Sequence, residues 1–116
     1  MKALILLFFI MASMSSLAAN PRLPFHTACY DRDLEAVELL LYYSGQDVRE
    51  RDGHGRTALF IAISTNDHEI ARLLLEGAPD LVAIPAYDQT TPLEAAKALG
   101  DSEMIALIEE KSRLFQ

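Results

Sequence analysis

The sequence predicts an all-α solenoid in which three helix–turn–helix units stack in line and are joined by hairpin loops. Three observations carry that expectation. The chain matches itself without gaps at a spacing of 34 residues, so that Ala28, Ala62 and Ala96 coincide, as do Glu35, Glu69 and Glu103, and Leu39, Leu73 and Leu107. Proline and aspartate punctuate the units at matching places, Pro24 with Pro92 and Asp33 with Asp67 and Asp101. A single cysteine, Cys29, excludes an internal disulfide, so a domain of this size must draw its stability from a regular, repeated core. The 116 residues suffice for one domain.

The first element to place is residues 1–19. Lys2 is followed by a stretch from Ala3 to Met14 that is almost wholly apolar, and then by Ser15-Ser16-Leu17-Ala18-Ala19. A basic start, an apolar segment of roughly a dozen residues and a small-residue exit are the three parts of a secretory signal peptide. Cleavage after Ala18 puts Ser16 and Ala18 at the small-residue positions, and cleavage after Ala19 is the neighbouring alternative. The apolar stretch meets serines short of the roughly 20 residues that a spanning helix needs. Cys29 lies too far on for lipid attachment. The expectation is therefore an exported chain with no stable membrane anchor once the leader is removed, and a repeat domain over residues 20–116.

The units run over about 22–55, 56–89 and 90–116. Each opens with a short helix of about eight residues, starting near Pro24, Ala58 and Pro92. Proline is tolerated in a first helical turn, where its missing N–H would have no partner in any case. Small alanines then allow close approach to a neighbour. The pairs Arg32-Asp33, Asn66-Asp67 and Gly100-Asp101 form the turn, and the aspartate can cap the second helix. That helix carries paired apolar residues, Leu39-Leu40, Leu73-Leu74 and Leu107-Ile108, with Gly45 and Gly77 as the expected terminators. In the return segment, Asp52-Gly53-His54-Gly55 suits a tight turn that needs left-handed backbone.

These residues resemble the ankyrin repeat, whose signature is Gly-x-Thr-Pro-Leu-His-x-Ala-Ala, a turn, Glu-Val-Val-x-Leu-Leu-Leu and Gly-Ala-Asp. The chain shows Gly55-x-Thr57-Ala58-Leu59 and Thr91-Pro92-Leu93, then Glu69-Ile70-Ala71-Arg72-Leu73-Leu74-Leu75 and Gly77-Ala78. The resemblance covers about residues 22–114. It departs from the signature where Phe60 and Glu94 replace the histidine kept at His26, where Ala58 replaces proline, and where Gln89 stands for the hairpin glycine. Both connecting segments are one residue longer than the commonest repeat. The hydrogen bonds between units are thus expected to be partial and the stability modest, three units being near the minimum for a solenoid.

Composition bears on partners. Ten basic residues stand against seventeen acidic ones for a net charge of −7, and loss of Lys2 with the leader takes it to −8. A net negative domain repels phosphate backbones, so nucleic acid is a poor partner. The charges alternate in sign, which reads as an ordinary solvated surface. No catalytic constellation is present. The three histidines, His26, His54 and His68, fall at no metal-ligand spacing, and Gly53-His54-Gly55-Arg56 lacks the Lys-Ser/Thr ending of a phosphate loop. Cys29 takes the place of the signature's second alanine and is expected to be an inert buried thiol. Neither catalysis, a metal nor a cofactor is expected.

The resemblance implies binding of a protein through hairpin tips and the exposed face of the first helices, which line a concave groove. Carried onto this chain, those positions are Tyr30 and Asp31; Arg49, Arg51, His54 and Arg56; Ser64 and Thr65; and Tyr87, Asp88 and Thr90. Tyrosine and arginine are the types that anchor interfaces. Tyr42 and Tyr43 end the first unit's second helix, where core filling is open to either, and they are left unassigned. The expectation is a monomeric, periplasmic adaptor, with secretion as the second choice of destination. Its role is either support of a periplasmic enzyme, such as one of oxidative-stress defence, or immunity against a secreted toxin.

Overall fold

A computed structural model of the chain describes residues 23–115, and the expected leader lies outside them. Six α-helices are present among the described residues, with no strand. They pair as α1 (Pro24–Tyr30) with α2 (Leu34–Tyr43), α3 (Ala58–Ser64) with α4 (His68–Gly77), and α5 (Pro92–Leu99) with α6 (Ser102–Ser112). A short 3-10 turn, Pro79–Ala83, follows α4, and another, Arg113–Phe115, follows α6. First helices pack side by side, α1 on α3 on α5, and second helices form a parallel row behind them.

The turn within each unit is built by one device used three times. Arg32, Asn66 and Gly100 take left-handed backbone, at φ 56°, 55° and 71°. The next residue then caps the second helix: Asp33 accepts from Ala36 N at 3.1 Å, Asp67 from Ile70 N at 3.1 Å, and Asp101 from Met104 N at 3.3 Å. In the first two turns the aspartate N–H also donates to the carbonyl of the aligned alanine, Asp33 N to Ala28 O and Asp67 N to Ala62 O. Orphan groups at both helix ends are thereby satisfied, which lets the turn sit against the core at little cost.

The middle unit supplies most of the core. Ala58 to Ile63 are all buried, and with them Ile70, Ala71, Leu74 and Leu75 of α4, Leu81 of the 3-10 turn, and Met104 and Ile108 of α6. Each unit buries apolar surface between its own two helices and against its neighbours, so the end units, with one neighbour each among the described residues, are the weaker ones.

The two terminators act differently. Gly45 follows the end of α2 at φ 69° and stops the helix as expected. Gly77 is the last residue of α4 and needs no left-handed backbone. Its missing Cβ is what admits Leu41, whose Cδ2 would lie 3.2 Å from that atom, so it sets the spacing between α2 and α4. Tyr42 and Tyr43 are not core filler; they are 58% and 81% exposed.

The bonds between units are incomplete, as the departures from the signature imply. His26 Nε2 donates to Arg56 O at 2.6 Å, joining the first unit to the second. Its Nδ1 is buried without a partner, and so is Thr57 Oγ1. The cause is visible in the aligned columns. His26 has Leu23 where the third unit has Thr91, and Thr57 has Phe60 three residues on. Only Thr91 and Glu94 complete the reciprocal pair, as a capping box closed by two 3.1 Å bonds.

Candidate partner-binding face

The first hairpin is organised by Asp52. Its Oδ1 accepts from His54 N at 2.9 Å and Arg56 N at 3.0 Å, while its own N–H donates to Arg56 O at 3.0 Å. Burial pushes the Asp52 carboxyl up, but those two N–H groups and the Arg56 guanidinium outweigh it, and the carboxyl is held below its usual value. The second hairpin has Ala86 in the place of Asp52. Here Asp88 takes over, accepting from Thr90 N at 2.9 Å, a bond that draws its own carboxyl down. Gln89 occupies the glycine position at φ 73°.

The two hairpins are joined edge to edge. Tyr87 N donates to His54 O at 3.1 Å. Gly55, at φ 79°, lies under the Tyr87 ring so closely that a Cβ would stand 2.5 Å from two ring carbons and 2.6 Å from Tyr87 N. Arg51 completes the joint: it donates to Pro85 O at 2.9 Å and lies 5.5 Å from the Tyr87 ring centroid. Arg49 is clamped in a bidentate pair to Asp80, at 2.5 and 2.7 Å, which raises the arginine and lowers the carboxyl.

The sequence-predicted positions therefore divide. Arg49, Arg51 and Arg56 are tied to Asp80, to Pro85 with Tyr87, and to Asp52. Tyr30, Asp31, His54, Ser64, Tyr87 and Asp88 are exposed, and Thr65 and Thr90 are half-buried. Ser64 and Thr65 turn their hydroxyls back to Ile61 O at 2.9 and 3.0 Å, so their outward surface is small and weakly polar. Tyr30, 56% exposed, and Tyr87, 61% exposed, are the large rings of the face.

Sequence reasoning missed the third unit's share. Ala98 and Leu99 fall in the columns of Tyr30 and Asp31, and both are exposed, as are Glu94 and Lys97 on the same helix. The alignment that placed the other residues would have found them. A second omission lies on the opposite side, where charged groups ladder the second helices: Arg32 with Asp67 at 3.5 Å, His68 with Asp101 at 2.6 Å and Glu103 at 3.1 Å, and Arg72 with Glu103 at 3.3 Å. The bond from His68 holds the Asp101 carboxyl low. Cys29 is fully buried, and burial pushes its thiol up to about 12. Among the described residues no group of three or more His, Cys, Asp or Glu is placed to hold a metal ion, and no helix is long and apolar enough to cross a membrane.

A family model for ankyrin repeats in three copies matches residues 4–84 and again residues 25–113. The chain belongs to the ankyrin-repeat family. Among curated proteins it is similar to the ADP-ribosylation factor GTPase-activating protein AGD4 of Arabidopsis thaliana, 36% identical over 91 residues, 73% of this chain and 11% of that one. It is also similar to the human transient receptor potential cation channel subfamily V member 6, at 40% over 62 residues, 53% of this chain and 8% of the channel. The rabbit (Oryctolagus cuniculus) subfamily V member 5 is 36% identical over 63 residues, 54% and 9% of the two chains. The chain thus spans about a tenth of the length of these curated relatives. Ankyrin repeats are interaction modules that bind other proteins, and this chain carries such a module over most of its length.

Proposed function

We propose that the chain is a non-enzymatic adaptor, exported to the periplasm by residues 1–19, that binds one protein through the face of Tyr30, Ser64, His54, Tyr87 and Asp88. The observation that carries the reading is the division of labour in the hairpins. Arg51, Gly55 and the Tyr87 backbone lock the two tips together, leaving the tips' outer side chains presented on a rigid edge. A preorganised edge with exposed tyrosines suits protein recognition, because little side-chain entropy is lost on binding. The role we favour is support of a periplasmic enzyme, such as one of oxidative-stress defence. Immunity against a secreted toxin is the second reading, and the net charge of −7 favours it by matching a basic toxin.

The test is to express the full chain with a C-terminal tag, isolate the periplasmic fraction and identify co-purifying protein by mass spectrometry. Tyr30→Ala and Ser64→Arg serve as face variants. One partner at near-equal amount, lost in both variants, supports the reading, and its chemistry separates helper from inhibitor. Retention of the tagged chain in the cytoplasm defeats the export claim, and a partner held equally by both variants defeats the face.

A further inference from the structure

The two ends of the stack are unlike. In the second helices, one column faces the preceding unit and another the following one, and Gly77 identifies the first, since Leu41 of the preceding unit meets it. Ile70 and Leu74 lie on the same helical face as Gly77 and are fully buried, and their counterparts Met104 and Ile108 in α6 are too. The counterparts in α2 are Ala36, Leu40 and Tyr43. The first two are half-buried and Tyr43 is 81% exposed. At the other end the outward column has become polar, with Glu109 exposed where α4 has Leu75. Solenoids need polar outer faces on their end units. Among the described residues the last unit has one, and the first turns an apolar face outward.

The spacing of 34 residues continues toward the start of the chain. Leu4-Ile5-Leu6-Leu7-Phe8 falls in the register of Glu38-Leu39-Leu40-Leu41-Tyr42 and of Arg72-Leu73-Leu74-Leu75-Glu76. Leu7 thus occupies the column of Leu41, which meets Gly77 of the following unit, and Ala3 that of Val37 and Ala71, both buried. The chain from Leu7 to Pro24 is as long as that from Leu41 to Ala58. The first of the two ankyrin matches begins at residue 4, inside this segment.

We propose that the α2 face of Ala36, Leu40 and Tyr43 is a docking surface for residues 3–8 of the same chain before the leader is removed. Leu7 takes against Tyr43 the place that Leu41 takes against Gly77, with Leu40 one turn away on the same face. The segment is then a half-unit that covers the open end, and its removal uncovers that end. The inference stands apart from the partner-binding reading and concerns a different face.

The experiment uses the full chain produced without export, so that residues 1–19 are kept. Leu7→Cys with Leu40→Cys is treated with a short bismaleimide; Cys29, buried and with its thiol pushed up to about 12, stays unlabelled. The expected product is an internally linked monomer, formed at least tenfold more than from Leu4→Cys with Leu40→Cys, whose first position shares the register of Glu38, Arg72 and Ala106, all exposed. Equal yields from both pairs, or linkage chiefly between two chains, overturn the proposal. Hydrogen exchange supplies the readout that leaves α2 unaltered. Leu7→Asp is expected to speed amide exchange over residues 34–43 at least tenfold and leave 102–112 unchanged, and no change over 34–43 overturns the proposal.

Discussion

Gly55→Ala is the sharpest perturbation of the hairpin edge. A Cβ in left-handed backbone costs about 1–2 kcal/mol. The added atom would also lie 2.5 Å from two Tyr87 ring carbons and 2.6 Å from Tyr87 N. The ring can swing aside, losing its stacking with Arg51, about 0.5–1 kcal/mol. The backbone nitrogen has no such freedom, because it donates to His54 O at 3.1 Å; displacing it costs about 1 kcal/mol. Against this, alanine restricts the unfolded chain and returns about 0.4–1 kcal/mol. The net expectation is a loss of about 2.5 kcal/mol, which for a domain of this size lowers Tm by roughly 10–20 °C. Gly53→Ala is the matched control. Nothing lies within 4 Å of its added Cβ and its backbone is not left-handed, so a change within about 0.5 kcal/mol is expected. Urea unfolding followed by far-ultraviolet circular dichroism measures both. A Gly55→Ala variant within 0.5 kcal/mol of the parent, or no better separated from Gly53→Ala, would refute the close-approach argument.

Three further outcomes are expected. Asp67→Ala removes the cap bond to Ile70 N and the pairing with Arg32, costing about 1–2 kcal/mol in the same assay, while Asp67→Asn, which can still cap, costs well under half of that. Gln89→Gly relieves left-handed backbone at φ 73° and raises stability by about 0.5–1 kcal/mol after the entropy of glycine is subtracted; a loss would show that the second hairpin depends on the glutamine side chain. The Asp52, Asp80, Asp88 and Asp101 carboxyls are all held below the unfolded value of 3.8, so each contributes stability that is full above that pH and lost as pH falls through the folded value. The urea midpoint should therefore decline below about pH 4, less steeply in Asp52→Asn, and an acid response identical in that variant would contradict the assignment.

The units were legible because each column of the alignment has one physical task. The aspartates at 33, 67 and 101 cap, the alanines at 28, 62 and 96 permit close packing, and residues 73–75 and 107–108 fill the core; residue type alone implies these roles. Where one residue type serves two tasks, the reading was less complete. Gly77 looks like a helix terminator but owes its place to Leu41, a residue of another unit. Arg49 and Arg51 read as exposed anchors because arginine usually is one. Their partners, Asp80 and Pro85, lie about one unit further along, and only the stacking distance between units brings them into reach. The same holds for the ladder from Arg32 to Glu103. The unpartnered Nδ1 of His26 and Oγ1 of Thr57 were foreseeable in kind, since the signature's histidine and threonine never occur together in one unit here.

The central claim is that one protein docks on the face of hairpin tips and first-helix ends. Site-specific photo-crosslinking in the exported full chain tests it most directly, with the probe placed at Ser64, at Asp88, or at Glu76, an exposed residue on the second-helix side. The account predicts a single protein adduct of the same mass from Ser64 and Asp88 and none from Glu76. Adducts from Glu76 alone, or in equal yield from all three positions, would contradict it.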